Sequence, residues 1–295
     1  MVSPVSLKSN DAVLIEEFNT ESIINSYREL GLNVNHFFST KSLSLYKCKS
    51  TGYRFYYPYT SIGDAHFYSE LSKVRKNYYS TRWEHLQSLA YLKNKENVLE
   101  IGSGFGIYLS LLAENKINGK GLELNPQAIE NNNSPYTIEN KLIGEESKEN
   151  PNKYDAVVMF QVLEHVPKVN SFITDALNSL KKGGKLIIGV PNNNPYLFIN
   201  DKHHTLNLPP HHAGLWNKKS LKSLEKVFPL ELEVIEFEPL EESYDQFINH
   251  LLSNKQNFYY RKLVNITRKL FPKLLKKILC RLIKGRNVLA VFTKK

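Results

Sequence analysis

The chain has 295 residues, 41% of them hydrophobic and 23% charged, a size that suits one large α/β domain with additions or one domain beside a small one. Its net charge of +10 lies wholly in residues 261–295, which carry twelve Lys or Arg and no acid, so the rest of the chain has no basic excess with which to hold nucleic acid. No run of eighteen apolar residues occurs and the opening MVSPVSLKSNDA has no apolar core, so neither a spanning helix nor a secretory leader is expected, and the expectation is a soluble, cytoplasmic protein.

Between Asp11 and Leu30, apolar Leu14, Ile15, Phe18, Ile23, Ile24, Tyr27 and Leu30 recur at three- and four-residue spacing and Gly31 follows as a stop, which predicts one or two helices. Leu43 to Lys47 and Tyr53 to Tyr57 flank CKSTG and read as a hairpin. The two cysteines, Cys48 and Cys280, are too few for a zinc cluster or a disulfide framework and suit a reducing compartment. His66 to Leu92 reads as a long helical stretch carrying Tyr78, Tyr79, Arg82, Trp83 and Leu86.

Asn97 to Ala113 organises the chain. The apolar run Val98, Leu99 and Ile101 meets three alternate glycines, Gly102, Gly104 and Gly106, with Ser103 between the first two, and helical apolar spacing resumes at Leu109, Leu112 and Ala113. A strand, a tight glycine turn and a helix make a nucleotide-site unit. A dinucleotide fingerprint needs a glycine where Ile107 stands, and Glu100 at the strand end would oppose a pyrophosphate. Both features disfavour a nicotinamide oxidoreductase and suit a cationic ligand without phosphate. A second short strand, Gly119 to Leu124, ends at Glu123, twenty-one residues after Gly102. A carboxylate at roughly that interval meets ribose hydroxyls, with a surface glutamate as the plain alternative.

The acidic residue followed by G-x-G-x-G resembles the first motif of the class I S-adenosylmethionine-dependent methyltransferases, and YDAVVMF at 154–160 running into QVLEHVP resembles their fourth. The resemblance implies an α/β fold: a Rossmann-like, mostly parallel seven-stranded sheet whose last strand is antiparallel, with helices on both faces. It implies S-adenosylmethionine as cofactor, held by Glu100, Gly102, Ser103, Gly104, Gly106, Glu123, Leu124 and Gln161. In this family an aromatic helix before the first strand often caps the cofactor. Tyr79 and Trp83 would then face the sulfonium and Arg82 would pair with the methionine carboxylate, unless these aromatics only bury the helix. LYKC and TGYRFYYP resemble a zinc-knuckle-like module of bacterial relatives acting on sugars and small molecules, but only Cys48 of its cysteines is present, so a metal-free hairpin is expected.

Tyr136 to Ile143 is the expected third strand, after which Glu145 or Glu146 approaches the adenine. Gln161, Glu164 and His165 follow the fourth strand at its carboxyl end, where α/β sheets bind ligands. Some relatives that make ubiquinone place a further acidic residue at the position of Gln161 and hold a divalent metal; Gln161 weakens that reading, and no metal is expected. The absence of an N-P-P-Y or D-P-P-Y tetrad argues against methylation of base amines. After a helix from Ser171 to Leu180, Lys185 to Val190 is a fifth strand. The loop that follows holds four of the nine histidines and the string NLPPHH, resembling the substrate-side loop of sugar and small-molecule methyltransferases. A hydroxyl acceptor must lose a proton, and histidine titrates near working pH. His211 or His212 is the favoured base, with His165 the third candidate; bracing of the loop is the structural alternative.

Ser220 to Phe228 reads as a helix, Leu230 to Phe237 as a sixth strand, and Asn287 to Thr293 as the antiparallel seventh. The expected organisation is a helical and hairpin module over 1–80, a methyltransferase core over 81–239, a basic helical insertion over 240–286 and the last core strand over 287–295. Within the insertion, Leu263, Leu270, Leu274, Ile278 and Leu282, with Val264, Phe271, Leu275, Leu279 and Ile283, form an apolar stripe opposed by nine Lys or Arg, and Pro272 permits a fresh helix start. Such a face suits an anionic membrane surface, a partner, or simple cover for the sheet. The expected function is S-adenosylmethionine-dependent O-methylation of a small molecule or glycan unit. The alternatives are a membrane-associated lipid-linked or quinone-like acceptor and a non-catalytic cofactor-binding protein.

Overall fold

The continuous apolar runs form the strands of a buried parallel sheet in the computed structural model, which describes residues 1–75, 80–93, 96–193, 204–253 and 258–295. Strands β4 (Asn97–Ile101), β5 (Asn118–Leu122), β6 (Ile138–Glu139), β7 (Tyr154–Phe160), β8 (Leu180–Pro191), β10 (Leu230–Pro239) and β11 (Lys284–Lys294) pair in the order β10-β11-β8-β7-β4-β5-β6. β4, β5, β6, β7 and β8 are parallel to one another, and β11 runs antiparallel to both β8 and β10. This is the expected α/β, Rossmann-like sheet. Helices α4 (Ile107–Glu114), α5 (Pro126–Glu130), α6 (Ile143–Glu149) and α7 (Val169–Ser179) connect its strands. Two buried clusters occupy its two faces, one around Leu99, Val157, Ile188 and Trp216 and the other around Val98, Tyr108, Val158 and Ile187. Alternation along each strand thus buries both faces, as a doubly covered sheet requires.

The N-terminal part differs from its expectation. Residues 12–19 form a strand, β1 (Ala12–Asn19), before helix α1 (Thr20–Arg28); the expected helical start is corrected to a strand followed by one helix. β1 is the edge of a second, four-stranded sheet in the order β1-β2-β3-β9, with β2 (Ser42–Cys48), β3 (Arg54–Tyr57) and β9 (Gly214–Leu215). Val13, Leu14 and Ile15 are exposed there and a register shift follows Leu14, so the strand lacks the alternation that would have marked it. Its hairpin β2–β3 matches the expected one. Cys48 is buried and its thiol donates to the Asp11 carboxylate, which resists burial through bonds from Ser50, Ser6 and Cys48 and titrates at about 2.

The expected long helix over 66–92 is instead two, α2 (Ala65–Val74) and α3 (Trp83–Ser88); Tyr78 and Tyr79 lie outside the described residues. Beyond β9 come the short α8 (Lys218–Lys222) and, between β10 and β11, helices α9 (Tyr244–Ser253), α10 (Phe258–Leu270) and α11 (Pro272–Leu282). Among the described residues, no helix is long and apolar enough to cross a membrane.

Candidate functional site

A cavity of about 710 Å³ opens at the carboxyl ends of β4, β5, β7 and β8, within the size range of small-molecule sites. One wall is a turn that only glycine makes without strain: Gly102 has φ +74° and Gly104 φ +53°. A Cβ on Gly102 would stand 2.5 Å from Val162 Cγ2, so the turn packs directly on the segment after β7. Gly106 also has positive φ (+74°) and caps α4, but a Cβ there would meet Asn132 and Ser134; the cavity wall is formed by Gly102, Ser103 and Gly104, without Gly106.

Glu123 reaches back across this turn. Its carboxylate accepts the backbone N–H of Gly104, Leu124 and Asn125, each at 2.9 Å. Three such bonds orient the carboxylate and leave lone pairs for hydroxyls. Glu100 is buried at the end of β4, and its Oε2 has no hydrogen-bond partner among the described residues. Burial and the charge of Glu123 raise its pKa far above the carboxylate range; a cation or donor brought into the cavity would relieve that penalty. Side-chain-free backbone at the turn, an oriented carboxylate and an orphaned acid suit a ligand with a ribose and a positive charge, as S-adenosylmethionine has. Leu124, Lys141, Leu142 and Ile143 continue the wall. The expected adenine contacts are corrected here: Glu145 caps α6 by accepting from Leu142 N, and Glu146 is buried in an ion-pair cluster with Lys120 and Lys141.

The segment after β7 turns sharply at Gln161, whose φ is +56°. Gln161 Nε2 donates to Glu84 at 2.8 Å and to Asn287 at 3.4 Å, joining α3 to β11 across the site. Glu84 had no signal in the sequence, where a glutamate in an amphipathic helix reads as solvent-facing. It is buried, and burial raises its pKa. Glu164 is buried too, with neither carboxylate oxygen hydrogen-bonded among the described residues. Burial, reinforced by the charge of Glu84 and opposed by Arg82, lifts it to about 8. Arg82 lines the cavity and acts on both acids.

The histidine loop closes the other end. His165 Nδ1 donates to the carbonyl of His211 at 2.6 Å, which assigns the remaining lone pair to Nε2, 3.9 Å from Glu164 Oε1. The rings of His211 and His212 stack at 4.3 Å, and each lies about 5 Å from His165. One ring nitrogen from each of the three falls within 4.8 Å of the others, an arrangement able to hold a metal ion, although none was expected. Burial pushes His165 down to about 4 and His212 well below the ordinary histidine range, so both are neutral at physiological pH.

The four-stranded sheet and its helices fasten this loop. Tyr27 donates to the carbonyls of Thr205 and Leu208 at 2.9 and 3.0 Å, and Tyr68 to that of His211 at 2.8 Å. Gly63 N and Tyr56 N donate to Pro210 and Ala213. Leu208 and Leu215 are buried in the N-terminal cluster with Phe18, Ile23 and Tyr56. A Cβ on Gly214 would overlap the Tyr53 hydroxyl at 1.7 Å.

Residues 75–231 match the family model described as a methyltransferase domain, more than half of the chain. The chain is 26% identical over 183 residues to a ubiquinone biosynthesis O-methyltransferase of Dechloromonas aromatica, covering 53% of this chain and 77% of that protein. It is 31% identical over 125 residues to one of Pseudomonas syringae, covering 39% of this chain and 54% of that protein; the second match thus spans about half the length of the relative. A solved structure of a SAM dependent methyltransferase from Archaeoglobus fulgidus superposes with a TM-score of 0.50 at 19% identity, over 71% of this chain and 90% of that one, a likeness of fold.

Proposed function

From the premise that this chain belongs to the class I S-adenosylmethionine-dependent methyltransferases, we propose that it O-methylates a hydroxyl group of a small molecule or glycan unit. When bound, S-adenosylmethionine supplies a methyl group on a sulfonium that is a good leaving group. Glu123 would hold the ribose, the Gly102–Gly104 turn would admit the backbone-hugging part of the ligand, and Glu100 and Arg82 would face its charged methionine end. Leu142 and Ile143 would pack on the base. What remains for the protein is to align the acceptor, a positioning contribution of about 7–11 kcal/mol at most, and to take its proton.

The observation that carries the reading is the convergence of His165, His211 and His212 on one wall of the cavity that Gly102, Gly104 and Glu123 line. An imidazole kept neutral by burial retains its lone pair and accepts the hydroxyl proton; Glu164, 3.9 Å from His165 Nε2, is the acid nearest the imidazolium that forms. The order of preference within the set is His212 or His211 first, then His165. A second reading, a quinone-like phenol as acceptor, is supported by the names of the two relatives above. The test is a panel of hydroxylated sugars, small phenols and quinols with labelled cofactor, run on wild type and on His165→Ala, His211→Ala and His212→Ala. Turnover should fall roughly a hundred- to ten-thousand-fold in the variant that loses the base while affinity for S-adenosylhomocysteine is kept. Cofactor binding without product on any acceptor, and no effect of the histidine changes, would favour a non-catalytic binding protein.

A further inference from the structure

We propose that α10 and α11 form a face that docks this protein on an anionic lipid bilayer. The apolar stripe read from the sequence is two rows in the structure. The inner row, Val264, Leu275, Leu279 and Ile283, packs with Tyr244, Phe247, Ile248 and Leu251 of α9. These contacts hold α10 and α11 against α9. The outer row is separate: Leu263, Leu270, Leu274, Ile278 and Leu282, joined by Phe271 and by Ile266, which the sequence stripe did not include, are between 45% and 73% exposed. Single exposed leucines are ordinary, but a contiguous row of seven large apolar side chains along two consecutive helices marks an interaction surface.

Charge decides what covers it. Residues 261–286 carry ten Lys or Arg and no Asp or Glu; Lys262, Lys269, Lys273, Lys276, Lys277 and Arg281 are exposed on the same two helices, and Lys284 is exposed just after them. A second copy of the chain would bring the same positive face against this one and be repelled. An anionic bilayer offers phosphate groups to the cations and an acyl boundary to the leucines at the same depth, while long basic side chains extend from the apolar boundary to the headgroups. With thirteen and eleven residues, neither helix reaches the roughly twenty residues needed to cross; the face lies on the surface. This inference is independent of the acceptor, because it concerns a surface formed by α10 and α11 rather than the catalytic cavity.

Flotation of the full chain with phosphatidylcholine vesicles, with and without phosphatidylglycerol, tests it in the absence of cofactor and acceptor. Binding is expected only to the anionic vesicles and should weaken as salt rises. Changing the exposed Leu270, Leu274 and Ile278 together to Ser should reduce it roughly tenfold or more, and so should Lys269→Glu, Lys273→Glu and Lys277→Glu together. Both variants should keep wild-type circular dichroism and S-adenosylhomocysteine affinity, which separates loss of docking from loss of fold or of methyltransferase function. No binding to anionic vesicles overturns the proposal, as does binding undiminished in the Ser variant. Self-association through this face in sedimentation, without vesicle binding, would overturn it in favour of a protein interface.

Discussion

Glu164→Gln should stabilise this protein by an amount that grows with pH. The wild-type carboxyl titrates at about 8 in the folded chain against an ordinary 4.5, because it is buried without a hydrogen bond among the described residues and faces the acid of Glu84. Between those values the folded state keeps a proton that the unfolded state has released, so stability falls as pH rises through the window. Integrating at about 1.4 kcal/mol per pH unit gives a loss of about 1 kcal/mol by pH 5, about 3 by pH 7 and about 5 above pH 8. Glutamine has the shape of the protonated acid and does not titrate, so the gap between variant and wild type should widen by roughly 2 kcal/mol from pH 5 to pH 7. Comparing the two proteins at each pH removes the contribution of the other titrating groups. Reversible urea unfolding without cofactor, at both pH values, measures the gap. A midpoint difference that is the same at pH 5 and pH 7 would refute the reasoning, since it would mean that Glu164 is ionised or solvated in the folded chain.

Gly102→Ala should weaken S-adenosylhomocysteine binding at least tenfold by calorimetry, because its φ of +74° is costly for a side chain and its Cβ would lie 2.5 Å from Val162; the left-handed backbone alone costs roughly 1–2 kcal/mol. Adding Val162→Ala should recover only the steric part, and full recovery or no initial loss would contradict the geometry. Glu123→Ala removes the acceptor of three backbone N–H groups and, on the proposed reading, the ribose contacts. With charged hydrogen bonds worth about 1.5–3 kcal/mol each, affinity should fall roughly a hundredfold or more, and Glu123→Gln should fall between the two. Unchanged affinity in Glu123→Ala would place the ribose elsewhere.

The sheet was legible where burial on both faces writes a continuous apolar run: Tyr154–Phe160 and the strand before the glycine turn stand where the pattern placed them. It was illegible at β1, where exposed Leu14 and Ile15 on a bulged edge join Phe18 and the residues of α1 in an apparent three- and four-residue repeat. Glycines and Glu123 announce themselves through spacing, because a tight turn and the carboxylate that accepts its N–H groups constrain neighbours along the chain. Glu84 does not: its burial follows from Gln161, seventy-seven residues away, donating to it. Likewise, the apolar stripe of 263–283 contained both rows, but only the packing of α9 separates the row buried against it from the row turned outward.

The histidine loop belongs by sequence to the methyltransferase core, yet carbonyls of it are held by Tyr27, Tyr56, Gly63 and Tyr68, and Leu208 and Leu215 sit in the N-terminal cluster. The glycine-turn and histidine ends of one pocket are therefore anchored to different sheets. On the proposed reading, alterations in the smaller sheet would retune which molecule is accepted while the machinery gripping the nucleoside stays as it is, giving such a scaffold a route to new acceptors that leaves its donor chemistry intact.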